Sequence, residues 1–223
     1  MEHKIILKNI EFVTHNVLRL VTEKPENYSF NPGQATELSI DKDGWRDEKR
    51  PFTFTSLPED STLEFTIKIY PSHNGMTEQL PKLKVGDHLI LGDSWGAISY
   101  KGPGTFIAGG AGITPFIAIM KDLKKRGLLD GNTLFFGNDT EKDIIYKENL
   151  NAWLRDQVHH VLSKEDIQAY DSGFINKELL KKYNLDTSKY VYLCGPPPMM
   201  ESVQADLHAM GVSKDMMVAE DLT

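Results

Sequence analysis

Gly109-Gly110-Ala111-Gly112-Ile113-Thr114-Pro115 decides the fold, because of what stands on either side of it. Before it, residues 105–108 form a short apolar run of strand type. After it, Phe116, Ile119, Met120 and Leu123 recur at helical spacing. Thr114 suits the cap of that helix, Pro115 its first position and Gly127 its stop. Downstream the alternation continues. A strand over residues 133–136 leads to a helix carrying Tyr146, Leu150, Trp153 and Leu154. A strand near 159–162 and a short helix near 177–183 follow. A strand over 190–193 then enters a helix with Val203, Leu207 and Met210 that ends at Gly211. Strands alternating with helices predict an α/β domain with a doubly wound parallel sheet.

Upstream the rhythm differs. Short β-prone runs at residues 5–7, 17–21, 35–40, 63–70 and 88–91 are separated by turns such as Asn31-Pro32-Gly33 and Val85-Gly86-Asp87. Over 62–70, Leu63, Phe65, Ile67 and Ile69 alternate with Thr62, Glu64, Thr66 and Lys68, which predicts a half-buried strand. Several such strands predict an antiparallel β-barrel. Lys101-Gly102-Pro103-Gly104 reads as a linker, so the expected domains are residues 1–101 and 102–223.

Composition narrows the function. A net charge of −7 excludes the basic face that a nucleic-acid binder needs. One cysteine, Cys194, excludes an internal disulfide, a four-thiolate iron–sulfur cluster and a zinc knuckle. Seven histidines are scattered without metal-ligand spacing, so no metal is expected. No signal-peptide core or transmembrane-length run is present, which predicts a cytoplasmic protein without membrane insertion.

Four segments carry chemistry. The glycine-rich turn allows close backbone approach and offers helix N–H groups to a pyrophosphate; the same glycines also suit a tight turn. Cys194-Gly195-Pro196-Pro197-Pro198-Met199 follows a strand end, where parallel sheets place ligands, although a lone cysteine is commonly a small buried apolar residue. Arg50-Pro51-Phe52-Thr53-Phe54-Thr55-Ser56 joins a cation, aromatics and hydroxyls in an extended segment. It also suits a plain β-strand. His73-Asn74-Gly75-Met76-Thr77 enters a short helix, with Thr77 at its start, and could take a second phosphate group or be an ordinary capped turn.

These segments, in this order, resemble the ferredoxin–NADP reductase superfamily, including its flavodoxin reductase and flavin reductase members, over nearly the whole chain. The resemblance implies a β-barrel that binds FAD, with FMN as the alternative, and an α/β domain that binds NADH or NADPH. It places Arg50 and Pro51 at the flavin phosphate, Phe52 on the isoalloxazine ring and Thr53 near flavin N5. Gly75, Met76 and Thr77 match the second phosphate turn. Gly110, Gly112, Ile113, Thr114 and Pro115 match the nicotinamide-dinucleotide loop, and Cys194, Gly195 and Pro196 the strand end beside nicotinamide C4. Glu220 is similar in place to an acidic residue of the active site. The chain ends Glu220-Asp221-Leu222-Thr223, without the aromatic that covers the second flavin face in many members, so the ring is expected either to be more open to nicotinamide or to be shielded by another residue such as Trp45 or Trp95.

The implied activity is that of a flavin-dependent oxidoreductase. Hydride passes from nicotinamide C4 to flavin N5, with Thr53, Cys194 and Glu220 as the catalytic set. Electrons then pass to a separate acceptor: flavodoxin, ferredoxin or a small molecule. The alternatives are reduction of free flavin and a non-catalytic flavin-holding sensor or subunit. Gly137-Asn138-Asp139-Thr140-Glu141-Lys142 follows the 133–136 strand. Asn138 and Asp139 are the expected ribose contacts; Asp139 with Glu141 should repel a 2′-phosphate, favouring NADH, with Lys142 the counter-argument and a solvated charged loop the other reading. Basic clusters at residues 121–126 and at Lys181-Lys182 are either docking patches or solvated helix faces.

Overall fold

The computed structural model describes residues 2–71 and 74–220. His73 and the tail Asp221-Leu222-Thr223 lie outside them. The first half contains β1 (His3–Thr14), β2 (Val17–Glu23), β3 (Ala35–Ile40), β4 (Arg50–Thr53) and β5 (Thr62–Lys68). The short helix α1 (Met76–Gln79) and β6 (His88–Trp95) complete it. The sheet runs β4-β3-β6-β1-β2-β5, every pair antiparallel. Its end strands meet. Phe54, one residue beyond β4, bridges Phe65 of β5, and the Thr55 N–H donates to the Glu64 carbonyl at 2.8 Å. The sheet therefore closes on itself as a barrel, which removes its edges. Ile5, Leu38, Phe54, Phe65 and Leu89 are fully buried inside, each worth about 1.5–3 kcal/mol by transfer from water.

The second half supplies β7 (Gly104–Gly109), α2 (Thr114–Lys125), β8 (Thr133–Asn138), α3 (Lys147–Leu154), β9 (Val158–Leu162) and β10 (Asp171–Ser172). It continues with α4 (Lys177–Lys182), β11 (Tyr190–Cys194), α5 (Pro197–Ala209) and β12 (Met217–Ala219). All six strands are parallel, in the order β10-β9-β8-β7-β11-β12. The chain winds outward from β7 through β8, β9 and β10, then returns to lay β11 on the other side of β7. That reversal makes the carboxyl ends of β7 and β11 the switch point of the sheet, where such folds bind ligands. Alternate residues of β7 serve different layers: Phe106 and Ala108 face α2 and α3, and Ile107 faces α4 and α5.

Several expectations need correction. The strand at 62–68 is not half-buried, because Glu64 and Thr66 on its polar face are 8% and 4% exposed. The cover is α2, so this face of the barrel is the contact with the second half. Val17 and Ile98 join the α2 core for the same reason. Nor does α2 bury a single stripe: every residue from Thr114 to Met120 is buried, between parallel sheet and barrel. Thr114 is not the cap. A 3₁₀ turn over Gly110–Ile113 runs straight into the helix, and the Thr114 hydroxyl donates to the Ala111 carbonyl at 3.0 Å. Likewise Gly75, not Thr77, caps α1. The short strands β10 and β12 carried no periodic signal.

The segment expected as a linker is anchored. The Tyr192 hydroxyl donates to the Gly102 carbonyl at 2.7 Å and accepts from the Lys101 and Gly102 N–H groups at 2.9 and 3.0 Å. The basic clusters are mostly engaged: Lys125 pairs with Glu59, Arg126 with Asp122 and Lys182 with Asp171, and Lys121 turns into the interface. Among the described residues no helix is long and apolar enough to cross a membrane.

Candidate functional site

The two loops at the switch point touch. A Cβ on Gly112 would stand 2.3 Å from the Cys194 carbonyl oxygen and 2.7 Å from the Gly195 Cα. One on Gly109 would stand 2.3 Å from the Met199 sulfur. At Gly112 the opposing atoms are backbone and glycine is a packing requirement, whereas at Gly109 the Met199 side chain would have to swing aside and the Pro196 ring, 2.9 Å away at Cδ, to shift. Gly110 differs: its φ of +52° suits glycine, and a Cβ there would meet nothing within 4 Å. It is the open point of the loop.

Beside Gly110 lies a cleft of about 560 Å³ over the carboxyl ends of β7 and β8. Gly109, Gly110, Asn138, Asp139, Pro196 and Met199 line it, and Lys68 and Tyr70 at the end of β5 close the barrel side. In its wall the Asn138 side chain carries a buried Nδ2 with no hydrogen-bond partner among the described residues. A buried donor without a partner costs about 1–3 kcal/mol, so it fits a ligand acceptor. The Asp139 carboxylate accepts from Lys164 Nζ and Ser163 Oγ, each at 2.9 Å, and Lys164 foremost holds its pKa low. Glu141 is not in the cleft; it pairs with Lys147 and Tyr170. Sequence reasoning missed Phe174. It stands at the rim with 77% of its surface exposed, after Gly173 at φ +99°. The only sequence trace was an aromatic directly after the turn pair Ser172-Gly173.

On the barrel side, Phe54 points into the core, so Thr53 points out. Thr53 pairs in register with Ala35, and Ala35 with Trp95, so the three share one outer face. Trp95 is 44% exposed there, whereas Trp45 packs against the barrel core. Phe52, on the side of the strand opposite Thr53, is half-buried and packs, like Trp45, against the barrel core, and Arg50 lies exposed at the start of β4, its guanidinium 3.0 Å from Glu48. Pro51 beside it is exposed. Met76 is fully buried in the barrel core, leaving the backbone of Gly75 and Thr77 nearer the surface.

Glu220 joins the two halves. It follows β12, and one of its carboxylate oxygens would stand 3.3 Å from a Cβ on Gly96, a position also 3.6 Å from the Ala35 nitrogen. Burial pushes its carboxyl up. Its charge also acts on Cys194: burial first, then Glu220, push the thiol up to about 12. Cys194 is therefore a neutral thiol at the strand end. Its alkylation by iodoacetamide should be slow at pH 8 and still accelerating at pH 10, whereas a plateau near pH 8 would show a thiolate.

Comparisons with known proteins agree with the two-part fold. A FAD-binding domain model matches residues 3–91, and an oxidoreductase NAD-binding domain model matches residues 106–205. The chain is 31% identical to NADH–cytochrome b5 reductase 1 of Arabidopsis thaliana, over 92% of this chain and 78% of that protein. It is 24% identical to the ferredoxin–NAD(P)+ reductase component of a Pseudomonas putida naphthalene 1,2-dioxygenase system, over 95% of this chain but only 66% of that one. The solved ferredoxin NADP+ reductase of Neisseria gonorrhoeae, with bound FAD and NADP, superposes with a TM-score of 0.87 at 20% identity, covering 98% of both chains. The two domain models together span most of the chain and the two-part fold is shared along its whole length, and the chain belongs to the ferredoxin–NADP reductase superfamily of NAD(P)H-dependent flavoprotein oxidoreductases.

Proposed function

We propose that this protein oxidises NADH in preference to NADPH through FAD held on the barrel, and delivers electrons to an acceptor outside these 223 residues. Residues 1–101 would form the flavin-binding unit and 102–223 the nicotinamide-binding unit. The observation that carries the reading is the Gly112 contact: it joins the glycine-rich turn to the Cys194 strand end, and Glu220 continues from there to Gly96 and Ala35, the register partner of Thr53. The groups present suit the cofactors: an open Gly110, an unpartnered Asn138 donor, an exposed Arg50 cation and an outward Thr53 hydroxyl.

When bound, the flavin would take up one hydride, and with it an electron pair that it can release one electron at a time. The chain's own part is alignment. Arg50 and the backbone of Gly75, Met76 and Thr77 would neutralise the flavin phosphates, and Phe52 would lie on its ring. Gly110, Gly112, Ile113, Thr114 and Pro115 would seat the nucleotide pyrophosphate at the start of α2. Phe174, exposed at the rim of the cleft, would offer its ring to the nucleotide base. Cys194, as a neutral thiol, would support the nicotinamide without attacking it, with Gly195 and Pro196 shaping the turn. Thr53 would donate a hydrogen bond on the flavin side, and Glu220 would hold a proton beside both.

Asp139 sets the nucleotide preference. Its carboxylate accepts from Lys164 and Ser163, which blunts its charge, but keeps lone pairs to accept from ribose hydroxyls that a 2′-phosphate lacks, while Glu141 is spent elsewhere. With ferricyanide as acceptor, kcat/KM for NADH should exceed that for NADPH by about tenfold or more, equivalent to about 1.4 kcal/mol. Asp139→Asn should narrow the gap. Equal turnover of the two nucleotides would overturn the preference. Gel filtration after loading with FAD separates a bound cofactor from a passing substrate: the colour should stay with the protein, and its complete loss would favour free-flavin reduction.

A further inference from the structure

The Arg50-to-Ser56 segment ends in Thr55 and Ser56, which no step above uses, and the neighbouring Glu64 is a buried acid on a strand face. Lys121 of α2 reaches both. Its ammonium donates to the Thr55 carbonyl at 2.7 Å and to Glu64 Oε1 at 2.8 Å. Arg19 of β2 donates to Glu64 Oε2 at 2.7 Å, and the Thr55 hydroxyl to Oε1 at 3.0 Å. The Glu64 N–H donates to Ser56 Oγ at 3.0 Å. Donors from β2, the β4–β5 connection and α2 thus converge on one carboxylate at the seam between the halves. Burial alone would raise the Glu64 carboxyl, but Lys121 and Arg19 outweigh it and hold it ionised.

A buried ion cluster is a weak source of stability, since apolar residues of similar volume commonly serve as well. What it supplies is direction, because each charged hydrogen bond fixes a distance and an angle. The two ends it connects are informative. Thr55 is two residues beyond Thr53, and the intervening Phe54 is locked in the core, stacked on Phe30 at 4.1 Å. Lys121 is seven residues beyond Thr114, about 10 Å along the same helix from the glycine-rich turn. That helix is buried on all sides at its start and cannot pivot independently.

We propose that Lys121 is a positioning residue for hydride transfer. By holding α2 to the Thr55 carbonyl and Glu64, it sets the separation between the nucleotide loop at one end of the helix and the flavin-side strand at Thr53. This rests on the reading of those two segments given under Proposed function. Displacement of reacting groups by about 1 Å can cost about a hundredfold in rate, so a small loss of register has a large kinetic effect.

The test compares Lys121→Met, which keeps the stem and removes the donor, with Lys121→Arg, in the full chain loaded with FAD. Anaerobic stopped-flow reduction by saturating NADH gives the limiting rate, and the long-wavelength charge-transfer absorbance reports ring stacking independently of turnover. For Lys121→Met the limiting rate should fall about tenfold to a hundredfold and the charge-transfer absorbance by more than half, with NADH and FAD affinities within about threefold of wild type. Lys121→Arg should recover most of both. In the cofactor-free protein, hydrogen exchange at the Thr55 and Glu64 amides should quicken in the Met variant alone. Should Lys121→Met not fold, Glu64→Gln keeps the bulk and the Thr55 contact, and should show the same signature at smaller amplitude. Unchanged rate, absorbance and exchange in Lys121→Met would overturn the proposal. So would parallel losses of affinity and thermal stability that Arg does not restore. A wild-type protein that NADH fails to reduce would instead defeat the underlying functional reading, while the exchange measurement would still decide whether the clamp exists.

Discussion

Gly112→Ala is expected to cut NADH-dependent flavin reduction by about a hundredfold and to destabilise the second half by about 3 kcal/mol. The added methyl would lie 2.3 Å from the Cys194 carbonyl oxygen and 2.5 Å from its carbon, and both are backbone atoms that cannot rotate away. The loops after β7 and β11 would have to part. That separation moves the pyrophosphate turn relative to the strand end carrying Cys194. Gly110→Ala is the control. Its methyl meets no atom, so the structural cost is that of a left-handed residue, about 1–2 kcal/mol. Its methyl would project into ligand space, so KM for NADH should rise while the limiting rate is largely kept. Steady-state kinetics and thermal melts of the two variants check this. Equal behaviour of both would mean that the Gly112 contact is not what aligns the loops.

The second large effect is on flavin affinity. Arg50→Ala should weaken FAD binding by about 1.5–3 kcal/mol, roughly tenfold to a hundredfold, by removing a charge-assisted hydrogen bond to phosphate. The folded protein itself should hardly notice. Arg50 is exposed, and its partner Glu48 is equally exposed, so that pair contributes within about 1 kcal/mol. Fluorescence titration of the cofactor-free protein with FAD, beside a thermal melt, separates the two quantities. Unchanged affinity would remove Arg50 from the flavin site. A melt lowered in step with affinity would make Arg50 structural.

The fold was legible wherever hydrophobic period and turn chemistry agreed. The run before Gly109 and the helical spacing after Thr114 named the parallel domain, and the turns at Gly33 and Gly86 marked the barrel. What failed was tertiary in origin. Glu64 and Thr66 look solvent-facing because period-two alternation cannot reveal that a second layer covers the polar face. Thr114 has the right chemistry for a cap, but the Gly110–Ile113 turn extends the helical path and takes the cap elsewhere. The strands β10 and β12 are two and three residues long, too short for any period. At the site, the glycine-rich turn was found from its composition, yet composition could not say that Gly112 and Gly109 answer packing while Gly110 answers open space. Phe174 was invisible because one exposed aromatic has no pattern. Lys121 was misread as part of a surface cluster, since its partner lies 57 residues away in sequence.

The most direct measurement is anaerobic addition of NADH to the FAD-loaded protein while following the visible flavin band, repeated with NADPH. Rapid bleaching of protein-bound flavin by NADH, slower with NADPH, is the predicted result. A protein that retains no flavin after loading, or a yellow protein that neither nucleotide bleaches, would contradict the account.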